Sequence, residues 1–197
     1  MALELWHAWA CPYCMRVRAA LAEKGVPWRS REIELNDKPE EFLQLSRTGG
    51  VPLLVDDGNP LPESLAILEL LDRRYPEPAL FPEQPGHEAV RALYERVNQL
   101  LASLIPAIVR GQGETRLKAL DEARRAFIEL DLLVGDGEYL AGRFSAADLA
   151  LASFVAKLPP DARPSALGFR NLARWERAVL LRPAVRQEMG PKLPAQA

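Results

Sequence analysis

The sequence predicts a two-domain chain: a small α/β part built on a mixed four-stranded sheet, followed by an all-α part. Three observations predict it. The N-terminal part alternates short apolar runs with helical patterns in the order β-α-β-α-β-β-α, as a small sheet covered by helices requires. The rest of the chain keeps helical spacing. Between the two, Pro76, Pro78, Pro82, Pro85 and Gly86 crowd a stretch that cannot continue a helix. The expected boundaries are residues 1–77 for the first domain, 78–86 for a Pro-rich linker and 87–197 for the helical domain.

Each element has a local reason. Leu3–His7 reads as a strand. Pro12–Gly25 is a helix with Val17, Ala20 and Leu21 on its apolar face and Gly25 just past its end. Trp28–Glu34 is a second strand, and Pro39–Ser46 a short helix with Pro at its first turn. Pro52–Val55 is a third strand. Asp57-Gly58-Asn59 signals a turn into a short edge strand near Pro60–Leu61. Glu63–Tyr75 is a helix whose Leu65, Leu68 and Leu71 recur at three-residue steps, widened by Ile67 and Leu70. In the second part, one helix is expected from about Gly86 to Val109, with Pro106 kinking or shortening its end. Others follow at Glu114–Val134, Ser145–Lys157 and Phe169–Leu181, with a short one at Pro183–Met189. Pro191–Ala197 is expected to be loose. Ser145 and Asp148 have the spacing of a capping box, a folding signal rather than a catalytic one.

Composition narrows the function. The 197 residues are 48% hydrophobic and carry a formal net charge of −2. No dense Lys/Arg block appears, which argues against nucleic acid as the main partner. No apolar run approaches the roughly 18 residues a membrane helix needs. The N-terminus lacks the basic start and apolar core of a signal peptide. A cytosolic protein without membrane partners is the expectation.

The only two cysteines are Cys11 and Cys14, in Cys-Pro-Tyr-Cys between the first strand and the first helix. In a reducing compartment such a pair is more often catalytic or metal-binding than structural. Cys11 falls at the helix N-cap, with Pro12 at the first helical position. There the N–H groups of Tyr13 and Cys14, with the helix dipole, favour thiolate at Cys11. Cys14, one turn deeper, is placed to resolve a mixed disulfide and is expected to be more buried and less acidic. Arg16 and Arg18 add positive charge nearby. A metal site would need four ligands, and only His7 and His87 could complete one, so no metal is expected. Two inert core cysteines are the other bland reading. Trp9 and His7 flank the thiol loop, where packing is the ordinary role for a tryptophan.

Cys11-Pro-Tyr-Cys14 after a strand, Val51-Pro52, and Glu63-Ser64 opening a helix resemble the thioredoxin-like half of the glutathione transferase family. The nearest likeness is to omega-type cysteine transferases and two-domain bacterial glutaredoxins. Asn36–Ser46, Gly49–Leu54 and Pro62–Pro76 match in order and spacing, and Tyr139–Ala152 matches the helical half. The resemblance implies a glutathione cradle. Ser64 and Glu63 would hold the γ-glutamyl end, and Val51, before a cis Pro52, would pair with the cysteinyl unit. Lys38 would meet the glycine end. Taken alone, Glu63 and Ser64 are ordinary helix-start residues, Lys38 a solvated charge and Val51-Pro52 an extended X-Pro step. Gly50 departs from the family, many members of which carry a larger residue there.

A cysteine, unlike a serine or tyrosine, can itself bond to glutathione. The resemblance therefore implies a glutathione-dependent thiol transferase that reduces mixed disulfides through Cys11. Glutathione is the co-substrate, and a small-molecule or protein disulfide or electrophile is the partner. The alternatives are conjugation of glutathione to electrophiles, or a non-enzymatic regulatory protein of the same fold. The second-substrate pocket is expected between the halves, near the first and last long helices of the second part. A homodimer is expected on the same resemblance.

Overall fold

The computed structural model describes residues 3–83 and 85–189. The expected loose end, Pro191–Ala197, lies outside them. Four strands, β1 (Leu3–His7), β2 (Trp28–Glu32), β3 (Leu53–Asp56) and β4 (Asn59–Pro62), form one sheet in the order β2-β1-β3-β4. β1 and β2 are parallel, whereas β1–β3 and β3–β4 are antiparallel. This is the thioredoxin-like arrangement of a mixed sheet.

Alternation along β1 serves two layers. Leu3 and Leu5 face helices α1 (Pro12–Glu23) and α3 (Ser64–Arg74) and join a core that runs on into the helical part. Trp6, with Leu53 and Ile33, faces the other way and packs on Phe42 of α2 (Glu40–Leu45). α1 ends as its glycine requires. Gly25 takes φ +61 and donates to the Ala22 carbonyl, and Val26 donates to that of Leu21.

The helical part comprises α4 (Gly86–Leu101), α5 (Leu104–Arg110), α6 (Gly113–Val134), α7 (Ala146–Val155), α8 (Arg170–Leu180) and α9 (Pro183–Met189). The single helix expected over Gly86–Val109 is two. Pro106 lacks an N–H and its ring would crowd the carbonyl four residues back, so the chain breaks at Ala102–Ser103 and restarts with Pro106 in the first turn of α5. α7 is buried along its whole length and begins with the Ser145–Asp148 capping box. α1 packs against α7 and α9, so the two halves share an extensive contact.

The proline-rich stretch is a pinned connection. Leu80 and Phe81 are buried, and their N–H groups donate to the Asp72 carboxylate at 2.7 and 3.0 Å. The Lys24 ammonium donates to Asp72 and to the Tyr75 and Pro78 carbonyls.

Candidate functional site

The site grows from the N-terminus of α1. Cys11 caps the helix in an extended conformation, φ −76 and ψ 122, which lets Pro12 enter the first turn. Its sulfur is half-buried, while Cys14 is wholly buried. Donation from the Cys14 thiol lowers the Cys11 pKa to about 6. Burial opposes this, and the Cys14 and Tyr13 N–H groups and the Arg16 charge reinforce it. No backbone N–H closes a full capping bond to the sulfur in the thiol form. Burial pushes the Cys14 thiol far the other way, with its bond to Cys11 adding to the shift. Of the two thiols Cys11 is therefore the more acidic, and Cys14 is held in its protonated form beside it.

Opposite Cys11 lies the Thr48–Pro52 loop. The Cys11 thiol is directed at the Val51 carbonyl, 4.0 Å away. Val51-Pro52 is a cis peptide bond. Gly49 has φ +63, a conformation that favours glycine, and the Gly50 N–H donates to the Thr48 hydroxyl at 3.2 Å.

Glu63 and Ser64 close the third side. Glu63 caps α3 at φ 71, ψ 118, which a non-glycine residue rarely adopts. Such outliers gather at ligand sites. Ser64 is the first residue of α3 and is 6% exposed. Its hydroxyl meets that of Tyr94, on α4, at 2.8 Å.

The Thr48–Pro52 loop, Glu63 and Ser64 border a cavity of about 190 Å³, which Tyr13 and Pro62 also line. Lys38 is half-buried and does not line it. Its ammonium sits instead beside Gly49, 3.7 Å from where a β-carbon would be. Tyr13 packs edge-on against Phe154, and burial raises the pKa of its phenol.

Arg16 and Arg18, both buried, point in different directions. Arg16 reaches into the helical part, to Tyr94, Asn98 and Ser153. Arg18 ties β1 and the thiol loop to α9. It donates to the Glu188 carboxylate at 2.9 Å and to the Trp9 carbonyl at 3.1 Å, with His7 at 3.4 Å. Neither engagement is visible in the sequence, because the partners lie far along the chain.

A larger cavity of about 550 Å³ lies between the halves. Trp9, Ala10 and Met15 line one side, and α7, α8 and α9 the other, through Val155, Trp175, Val179 and Met189. Of the first and last long helices of the second part, α8 lines this cavity and α4 does not. Lys157, Arg163 and Arg186 line this cavity together with Glu176, whose carboxylate pairs with Arg163 at 3.6 Å. Cys11 lines neither cavity; its chain neighbours do, Ala10 the larger and Tyr13 the smaller.

Among the described residues, no group of three or more His, Cys, Asp or Glu could hold a metal ion. No helix among them is long and apolar enough to cross a membrane.

The family model for the glutathione S-transferase N-terminal domain matches residues 5–79. A stringent starvation protein A homolog from Haemophilus ducreyi is 32% identical over 146 residues, covering 73% of this chain and 68% of that protein. The chain belongs to the glutathione transferase family. Within it, glutathione S-transferase U10 of Arabidopsis thaliana is 37% identical over 130 residues, covering 64% of this chain and 56% of that one. The chain thus spans little more than half the length of that relative. Omega 3C glutathione transferase from Trametes versicolor superposes with a TM-score of 0.84 at 26% identity, covering 98% of this chain and 91% of that one. Rice glutathione transferase GST1, solved in complex with glutathione, gives 0.83 at 27% identity, covering 95% and 90%.

Proposed function

We propose that this glutathione transferase-family protein is a thiol transferase that reduces glutathione mixed disulfides through Cys11. The observation that carries the reading is the Cys11 thiol, lowered to about 6, between Val51 and the start of α1. At neutral pH such a thiol is largely thiolate and attacks disulfides without a separate base.

The Cys11 thiolate attacks the glutathione sulfur of a mixed disulfide. The disulfide bond breaks, the substrate sulfur leaves as thiolate and takes a proton from solvent, and a Cys11–glutathione disulfide forms. A second glutathione, as thiolate, attacks the glutathione sulfur of that adduct. Oxidised glutathione leaves and the Cys11 thiolate returns, so each turnover consumes one free glutathione, and the other half of the oxidised glutathione comes from the mixed disulfide. Val51, Pro52, Glu63 and Ser64 hold glutathione, with Lys38 near the glycine end. Cys14, buried and protonated, serves the Cys11 thiolate as a hydrogen-bond donor, which favours the route through glutathione alone.

The test is Cys11→Ser, assayed for mixed-disulfide reduction in glutathione. Turnover should be lost; undiminished turnover would sink the mechanism. On the family resemblance the protein is also proposed to be a cytosolic homodimer, and sedimentation of the purified chain checks the dimer.

The cavity between the halves favours a second reading, conjugation of glutathione to an apolar electrophile. Faster turnover of chlorodinitrobenzene than of a mixed disulfide would select it.

A further inference from the structure

We infer that Tyr94, on the helical part, is a positioning residue of the glutathione site. It carries a one-directional hydrogen-bond relay from the buried Arg16 guanidinium to Ser64. The inference rests on the glutathione reading above and deepens it.

Arg16 is wholly buried, and among the described residues no carboxylate pairs with it. It lies against the rings of Tyr13, Tyr94 and Phe154 at 4.8–5.1 Å, and its hydrogen-bond partners are all neutral: Tyr94 Oη at 2.9 Å, Asn98 Oδ1 at 2.9 Å and Ser153 Oγ at 2.9 Å. A guanidinium can only donate, so Tyr94 Oη accepts from it. The phenol proton then needs an acceptor, because a buried hydroxyl left unpaired is costly. Among the described residues the acceptor on hand is Ser64 Oγ, 2.8 Å away. With its oxygen occupied by Tyr94, Ser64 has its own proton left to donate, and Ser64 lines the small cavity.

The direction of every proton is thereby fixed by the cation at the far end. Ser64 is set as a donor, and what it recognises is an anion, the α-carboxylate of the γ-glutamyl unit. Each bond in such a chain polarises the next. The site is therefore incomplete without α4, although Cys11, Val51, Glu63 and Ser64 all come from the N-terminal part.

The test is titration of the full chain with two unreactive ligands. One is S-methylglutathione; the other is the same molecule lacking the γ-glutamyl α-carboxylate. Tyr94→Phe removes one oxygen and keeps the ring. It should weaken S-methylglutathione by about five- to tenfold, the scale of one hydrogen bond between neutral groups. It should leave the decarboxylated ligand where the wild-type protein has it. Added to Ser64→Ala, it should cause no further loss. Ser153→Ala, which takes another partner from Arg16 without touching the relay, should bind S-methylglutathione within about twofold of wild type. Equal weakening of both ligands, full additivity with Ser64→Ala, or an unchanged Tyr94→Phe would each overturn the relay. Wild-type protein that binds neither ligand would overturn the glutathione reading itself, a result distinct from the other three.

Discussion

The buried Cys14 thiol is the largest single cause of the lowered pKa of Cys11, ahead of the backbone N–H groups at the helix N-terminus. The one bond acts on both groups: together with burial it holds Cys14 protonated, while it frees Cys11 of its proton. The second cysteine thus matters before any disulfide chemistry begins.

A pH profile follows from this. Alkylation of Cys11 by iodoacetamide tracks the thiolate, so its rate should rise through a midpoint near 6 and then level off. Cys14→Ala removes the strongest lowering influence, and the midpoint should move up toward the usual thiol range of about 8.5. The variant should therefore react slowly at pH 6–7 and recover most of its rate by pH 9. An unmoved midpoint would mean that the helix N-terminus alone sets the acidity.

Asp148 is a structural carboxylate with every partner accounted for. It accepts from the N–H groups of Leu140 and Ser145, the Ser145 hydroxyl and the Trp175 indole, at 2.9–3.0 Å. Asp148→Ala would strand those buried donors and remove the cap of α7. The expected loss is about 3–5 kcal/mol of unfolding free energy. Asp148→Asn, which can still accept, should lose less. Denaturant unfolding of the two variants measures it, and a loss under about 1 kcal/mol for Ala would refute the account.

Much of the N-terminal part was legible because its signals are local. The alternation of β1, the Gly25 stop and the turn at Asp57-Gly58-Asn59 are each set within a few residues, and so is the placement of Cys11 and Pro12. The joint between the halves was not legible. Arg16 and Arg18 read as charge near a thiol, yet both are buried, because Tyr94, Ser153 and Glu188 lie 78 to 170 positions further along. Composition could not show that the proline-rich stretch would be pinned by Lys24 and Asp72. Ser64 read as a ligand contact at a helix start, and the bond it makes to Tyr94 had no trace in sequence.

The Arg18–Glu188 pair makes a prediction about α9. Both side chains are nearly fully buried, and the same guanidinium holds the Glu188 and Trp9 carbonyls. Glu188→Ala leaves a buried cation short of its counter-charge, at a cost of about 3–5 kcal/mol. α9 should then undock from α1, and limited proteolysis should cut between α8 and α9 faster than in the wild-type protein. Because Trp9 and Met189 line the same cavity, the variant should also bind apolar co-substrates more weakly. Unchanged cleavage would mean that apolar packing of Val185 and Met189 suffices to hold the helix.

Glu63 offers a test of whether backbone strain serves the site. Its φ of 71 is costly for a residue with a β-carbon and free for glycine. Its side chain is exposed, so little packing is lost on truncation. Glu63→Gly should therefore stabilise the fold by up to about 1 kcal/mol, offset in part by the greater freedom of an unfolded chain carrying glycine. The same change removes a carboxylate from the wall of the small cavity, and S-methylglutathione should bind several-fold more weakly. Stability rising while affinity falls would mark Glu63 as a residue kept for its ligand. Stability and affinity falling together would mean that Glu63 is needed to hold the start of α3.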